Sequence, residues 1–201
     1  MKLAFGREKS LVSIETEVKL RVAHVADFLE RLRALTPTEL SARHFEDNFV
    51  FDFDEEGLRS QSCLLRVRIT DLGASITYKG PPREGGAFKV REELETSVGD
   101  GAIANSIFER LGMRVWFRYQ KYRREFELTL DDPPGARVHI AYDETPIGDY
   151  VELEGSEDNI RTVAEAIGFH ESQFIRLSYY SLYHEYCDSR GQNLGFMVFA
   201  S

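Results

Sequence analysis

The sequence predicts an α+β fold built on antiparallel strands, and three observations predict it. Segments of strand length with apolar residues on one parity recur along most of the chain. Helical spacings interrupt them without the regular alternation that a parallel doubly wound sheet requires. Neighbouring strands are joined by clusters of Gly, Pro and Asp, which make tight reversals and cannot continue a ladder.

The first strand runs from Ser13 to Leu20, with Ile14, Val18 and Leu20 on one parity and Glu15, Glu17 and Lys19 on the other. Helical spacing follows at Val25, Phe28, Leu29, Leu32 and Leu35 and ends before Pro37. Strands are then expected at Phe45–Phe53, Leu64–Thr70, Ala74–Lys79, Phe88–Thr96, Val115–Arg124, Glu125–Leu130, Val138–Asp143 and Tyr150–Glu154. The segment Gly80–Gly86 and the turn Asp131–Gly135 connect strands. Helices are expected at Ala102–Leu111 with Asp100 as cap, at Ser156–Ile167 closed by Gly168, and from Ser178 to about Cys187. Residues 1–201 read as a single domain with its core at about 12–188, and Ser189–Ser201 as a loose tail or an add-on strand.

Composition narrows the function. The chain has 201 residues, 42% of them hydrophobic, which is too apolar for a disordered segment and long enough to bury a substantial core. Its formal net charge is −9, against the basic excess that a nucleic-acid or anionic-membrane surface needs, so neither is an expected partner. Cys63 and Cys187 make no disulfide framework and lack metal-site spacing. Met1–Ser10 has no apolar run of signal-peptide length, and no stretch approaches the length of a membrane span. A reduced, cytoplasmic protein is the expectation.

The charges are distributed selectively. Glu15, Glu17 and Lys19 share one parity; so do Arg66 and Arg68, Thr77 and Lys79, Arg91 and Glu93, Lys121 and Arg123, and then the acids Glu152 and Glu154, with Asp143 on the strand before. The opposite parity is mostly apolar, as in Leu65, Val67 and Ile69. Two readings of this pattern stand. One is a solvated sheet face with incidental ion pairs, each worth about 0–1 kcal/mol. The other is a sheet curled into a barrel with a polar interior. Enclosed Arg and Lys need anions, and clustered carboxylates need a cation such as Mg²⁺ or Mn²⁺. A site wanting both suits a metal-bound polyphosphate.

The ordered series Glu15-Thr16-Glu17-Val18-Lys19, Leu65-Arg66-Val67-Arg68, Thr77-Tyr78-Lys79-Gly80-Pro81, Arg91-Glu92-Glu93, Lys121-Tyr122-Arg123, Asp143 and Glu152-Leu153-Glu154 resembles the CYTH superfamily, the triphosphate tunnel metalloenzymes that include class IV adenylyl cyclases and thiamine triphosphatases. The first motif alone is weak, but seven elements in order bring the tunnel reading to the front. The resemblance implies a closed antiparallel β-barrel of about eight strands with helices packed outside. It implies that Lys19, Arg66, Arg68, Lys79, Arg91, Lys121 and Arg123 contact phosphate, with Glu93 orienting Arg or Lys side chains. Arg176, just before the final helix, is the candidate to complete the tunnel. It implies that Glu15, Glu17, Asp143, Glu152 and Glu154 hold one or two Mg²⁺ or Mn²⁺ ions, and that Glu15, Glu17, Lys19, Glu152 and Glu154 form the catalytic set.

The implied activity is metal-dependent hydrolysis of a small-molecule triphosphate: inorganic triphosphate, thiamine triphosphate or a nucleoside triphosphate. The alternatives are a class IV adenylyl cyclase making cyclic AMP and pyrophosphate from ATP, and a non-catalytic polyphosphate or nucleotide sensor. The assembly is expected to be a monomer or homodimer. No phosphate-binding GxxxxGK[ST] loop, GxGxxG fingerprint or zinc-type histidine pair is present. His139 shares parity with Asp143 and would face the same side; Trp116 reads as core or rim packing ahead of stacking on a base or thiazolium ring.

Overall fold

A computed structural model describes residues 13–55 and 57–200; the Met1–Ser10 segment lies outside the described residues. In chain order the elements are β1 (Ser13–Val22), α1 (Val25–Ala34), β2 (Thr38–Phe53), β3 (Leu64–Thr70), β4 (Gly73–Lys79), β5 (Lys89–Val98), α2 (Gly101–Arg110), β6 (Met113–Leu130), β7 (Ala136–Thr145), β8 (Gly148–Glu154), α3 (Glu157–Ala166) and α4 (Tyr179–Arg190). The strands close in the order β1-β5-β4-β3-β2-β6-β7-β8, every neighbouring pair antiparallel. Eight strands in a closed barrel with helices outside is the expected architecture.

Closure requires strands that tilt and change partners along their length. β1 does so by pairing with β5 over Ser13–Glu17 and with β8 over Glu17–Val22. β6 is a single strand of 18 residues, where the sequence suggested two. The pleat carries the strand through Arg123-Arg124-Glu125: Arg123 points in, and Arg124 points out to Glu39 at 3.0 Å. β2 begins seven residues before the expected Phe45, through polar residues whose register with β6 shifts repeatedly between Glu39 and His44. Such bulges bend a strand around a barrel corner.

Two of the three apolar cores lie outside the barrel wall. Val18, Leu20, Val138, Ile140, Val151 and Leu153 pack under α1 and α3 through Phe28, Leu32, Ile160 and Val163. Phe51, Val67 and Met113 pack under α2 around Ala104. A Cβ at Gly101 would come within 2.5 Å of Ile69, so only glycine allows α2 to sit this close. The caps follow the sequence: Asp100 accepts the amides of Ala102 and Ile103, and Ser156 and Ser178 accept those of Asn159 and Ser181. Gly168, at φ +92°, ends α3 as expected.

The third cluster closes one end of the barrel. Tyr179 and Leu182 of α4 pack on Val50, Phe117, Tyr119 and Tyr150, with Met197 fully buried among them. Met197 forms a parallel bridge with Tyr119, donating to Arg118 O at 3.0 Å and accepting from Gln120 N at 2.8 Å. The C-terminal stretch is therefore an add-on to β6 at this point. Among the described residues, no helix is long and apolar enough to cross a membrane.

Candidate functional site

With the apolar parity committed to the outer cores, the other parity of every strand faces inward. The result is a cavity of about 1160 Å³ running along the barrel. The strand registers define its two ends. Glu95, Glu125, Glu127, Arg137, His139 and Glu154 lie toward one; Cys63, Leu64, Trp116, Leu177 and Tyr180 lie toward the other, where Tyr180 and the Arg59 guanidinium both pack against the Trp116 ring. Trp116 is thus at the rim. The basic residues occupy the stretch between.

Register explains the ion pairs. Glu15 lies opposite Arg91, Glu17 opposite both Lys89 and Glu154, and Lys19 opposite Glu152. Lys79 Nζ sits 2.6 Å from Glu15 and 2.8 Å from Glu93; Lys19 Nζ sits 2.9 Å from Glu152 and 3.6 Å from Glu17. Arg66 donates to Thr77 Oγ1 at 2.9 Å and to the Tyr119 hydroxyl at 3.2 Å, while Arg68 donates to Asn48 Oδ1 at 2.9 Å. Lys121 and Arg123 reach Asp143 at 2.9 and 2.7 Å, and Arg123 also contacts Glu152 closely.

Lys19, Arg66, Arg68, Lys79, Arg91, Lys121 and Arg123 all line the cavity, together with Glu15, Glu17, Glu93, Glu152 and Glu154. Arg176 lines it too; its two terminal nitrogens donate to the β4–β5 connection, to Gly86 O at 3.2 Å and Arg83 O at 3.0 Å, while its Nε is buried without a hydrogen-bond partner. Asp143 is fully buried and does not line the cavity. Besides Lys121 and Arg123 it accepts the Tyr179 hydroxyl at 2.6 Å, so its oxygens are taken.

Among the described residues, Glu15, Glu17 and Glu154 each offer a carboxylate oxygen within 4.8 Å of the others. Three hard oxygen donors at that spacing suit Mg²⁺ or Mn²⁺. Glu17 Oε1 is buried and accepts no well-formed hydrogen bond, and its nearest cation is Lys89 Nζ at 3.2 Å.

Titration follows from these neighbours. Burial and the adjacent Glu17 carboxylate raise the Glu15 pKa. Burial pushes Glu17 the same way, but Lys19, Lys89 and Lys79 override it and hold the group well below the usual carboxylate range. Glu152 is held far down, against its burial, by Lys19 and Arg123. His139, with carboxylates of Glu125 at 3.5 Å and Glu154 at 3.6 Å, is raised to about 9.

Two interior residues escaped the sequence reading. Lys89 Nζ lies 3.2 Å from Glu17 and lines the cavity, and burial lowers its pKa to about 8. It shares parity with Arg91 and Glu93, so the signal was present. Glu46 lies behind the lining; its parity was obscured because Phe45, Phe49, Val50 and Phe51 place apolar residues on both faces of that segment.

Comparison with known proteins agrees with this geometry. The CYTH domain family model matches residues 13–173. A protein of Methanocaldococcus jannaschii provisionally named an adenylate cyclase is 25% identical over 174 residues, covering 84% of this chain and 98% of its own. Among solved structures, a provisionally named adenylate cyclase from Vibrio parahaemolyticus superposes with a TM-score of 0.72 at 18% identity, covering 85% of this chain and 97% of that one. A provisionally named adenylyl cyclase from Hippeastrum, in which triphosphatase activity is dominant, gives 0.62 at 19% identity over 90% and 97% of the respective chains.

Proposed function

The chain belongs to the CYTH family, and from that premise we propose that it is a Mg²⁺- or Mn²⁺-dependent enzyme that hydrolyses a small-molecule triphosphate held inside the barrel. The observation that carries the reading is the cavity's pairing of a basic belt with three convergent carboxylates. A triphosphate and its metal satisfy both together.

In this reading Glu15, Glu17 and Glu154 hold the cation. A cation held by these three carboxylates would supply Lewis-acid chemistry and a more acidic water for the hydrolysis. Arg66 and Arg68 take forked contacts to phosphate oxygens, and Lys19, Lys79, Lys89, Arg91 and Lys121 supply further charge along the polyanion. Bond cleavage places negative charge on the leaving phosphate, and fixed cations offset it without reorganising. Arg123 and Lys121 are aimed by Asp143, the role we assign Asp143 in place of the metal ligation that the resemblance implies. Glu152 orients Lys19 and Arg123 and is the further cavity-lining carboxylate that a second ion would draw on. Arg176 ties the Arg83–Gly86 segment of the β4–β5 connection to the cavity lining.

A second reading, adenylyl cyclase, is favoured by the name of the Methanocaldococcus jannaschii relative. It uses the same belt with the ribose 3′-hydroxyl of ATP as nucleophile. Incubation with Mg²⁺ or Mn²⁺ and each of inorganic triphosphate, thiamine triphosphate and ATP, followed by product separation, decides between them. Free phosphate supports the hydrolase; cyclic AMP with pyrophosphate replaces it by the cyclase. Binding without turnover leaves a sensor.

A further inference from the structure

Behind the basic belt lies a carboxylate that the reaction scheme does not use. Glu46 on β2 is 1% exposed and does not line the cavity. Its oxygens face three cations that do: Arg68 Nη1 at 3.0 Å, Lys121 Nζ at 3.4 Å and Arg123 Nε at 4.0 Å. His44 Nε2 stands 3.6 Å away, and Glu46 Oε2 accepts no hydrogen bond. Arg68 belongs to β3, and Lys121 and Arg123 belong to β6. β2 separates those two strands in the barrel, so a carboxylate at this position reaches cations on both sides of it.

Three long cationic side chains crowded on one wall repel one another and spread over many rotamers unless an anion fixes them. Asp143 fixes Lys121 and Arg123 from the β7 side, but it makes no contact to Arg68. Glu46 joins all three.

We propose that Glu46 is a positioning residue that clamps Arg68 to Lys121 and Arg123, so that β3 and β6 present one preformed three-cation wall to the triphosphate. The inference rests on the triphosphate reading of the cavity. It carries a consequence of sign: neutralising Glu46 adds net positive charge beside the polyanion while loosening the groups that must be aimed. Affinity is then retained or increased, and turnover falls. A carboxylate serving stability alone would instead lower the folded fraction, and with it binding and turnover in parallel.

The test compares wild type, Glu46→Gln and Glu46→Asp. Calorimetry gives the affinity for inorganic triphosphate in EDTA, steady-state kinetics give kcat and KM with Mg²⁺, and ¹⁵N NMR follows exchange of the Arg68 and Arg123 Nε–H protons. For Glu46→Gln the expected result is kcat lower by about ten- to a hundredfold, the cost typical of misplaced catalytic groups. Triphosphate affinity should be undiminished and Nε–H exchange faster. Glu46→Asp, which keeps the charge, should recover part of kcat, and it carries the test if the glutamine variant does not fold. Wild-type kcat in Glu46→Gln, or binding and kcat lost together with the folded fraction, overturns the proposal. If the wild-type protein neither binds nor cleaves any triphosphate, the functional reading fails on its own. The Arg68 and Arg123 signals then still decide the clamp, and unchanged exchange in Glu46→Gln rejects it.

Discussion

Glu154 has the most exposed side chain of the carboxylate cluster, 31% against 9% for Glu15 and 4% for Glu17, and it shares its charge with His139. Among the proposed metal ligands it is accordingly the one that can be altered with least damage to the fold. Glu154→Gln should weaken Mn²⁺ binding by about tenfold or more, since even outer-shell partners of a metal are worth that much; electron paramagnetic resonance titration checks it, and unchanged affinity would remove Glu154 from the site. Glu46 and Glu152 predict a pH dependence. Both have folded-state pKa values below the ordinary carboxylate value, so the stability they contribute is present above about pH 4.5 and is lost as pH falls toward those depressed values. Melting temperature should therefore drop as pH falls from about 5 to about 2, and the gap between wild type and Glu152→Gln should narrow over the same interval; a gap independent of pH would contradict the assignment. At this scale the sequence was legible wherever parity was clean. Lys89 went unread because it opens its strand beside Phe88, and nothing in the sequence signals that the Arg176 terminal nitrogens donate to the Arg83–Gly86 backbone.

Strand parity and helix capping made most elements readable before their neighbours were known. The failures came where tertiary pairing sets the boundary. The polar start of β2 carries no apolar alternation and is a strand because β6 is beside it. β6 stays unbroken through Arg124 because that side chain finds Glu39 on the outer face. Nothing local marks Met197 for burial; the free edge of β6 and the α4 aromatics create its niche. Met197→Ala should cost about 2–5 kcal/mol, read as a melting temperature lower by about 5–15 °C for a domain of this size; calorimetry measures it, and a shift near zero would mean that the C-terminal bridge contributes nothing. Gly101→Ala tests the seat of α2. The added methyl meets Ile69 and Ala74 side chains at 3.0 Å or less, and overpacking of that kind costs about 1–3 kcal/mol.

The whole molecule turns the usual barrel inside out along most of its length: apolar layers lie between the wall and its helices, polar groups are enclosed, and an apolar cluster under α4 fills one end. A net charge of −9 therefore describes the outer surface poorly as a guide to the ligand, because the cations are gathered where enclosure focuses their field. Triphosphate affinity should fall as salt rises from about 50 to about 500 mM, while a DNA duplex stays unbound at either concentration; duplex binding would show that the basic groups are open to the surface. The pairing of β1 with β8 has a consequence for how the protein is made. The wall is complete only when residue 154 can reach residue 17, and the β6 edge is covered only when residue 197 arrives. On the ribosome, then, nearly the whole chain must emerge before the first strand finds its second partner. Until that moment an open sheet with a bare edge waits in the company of other nascent chains. Translation speed and chaperone supply, more than the intrinsic stability of any helix, would govern its yield.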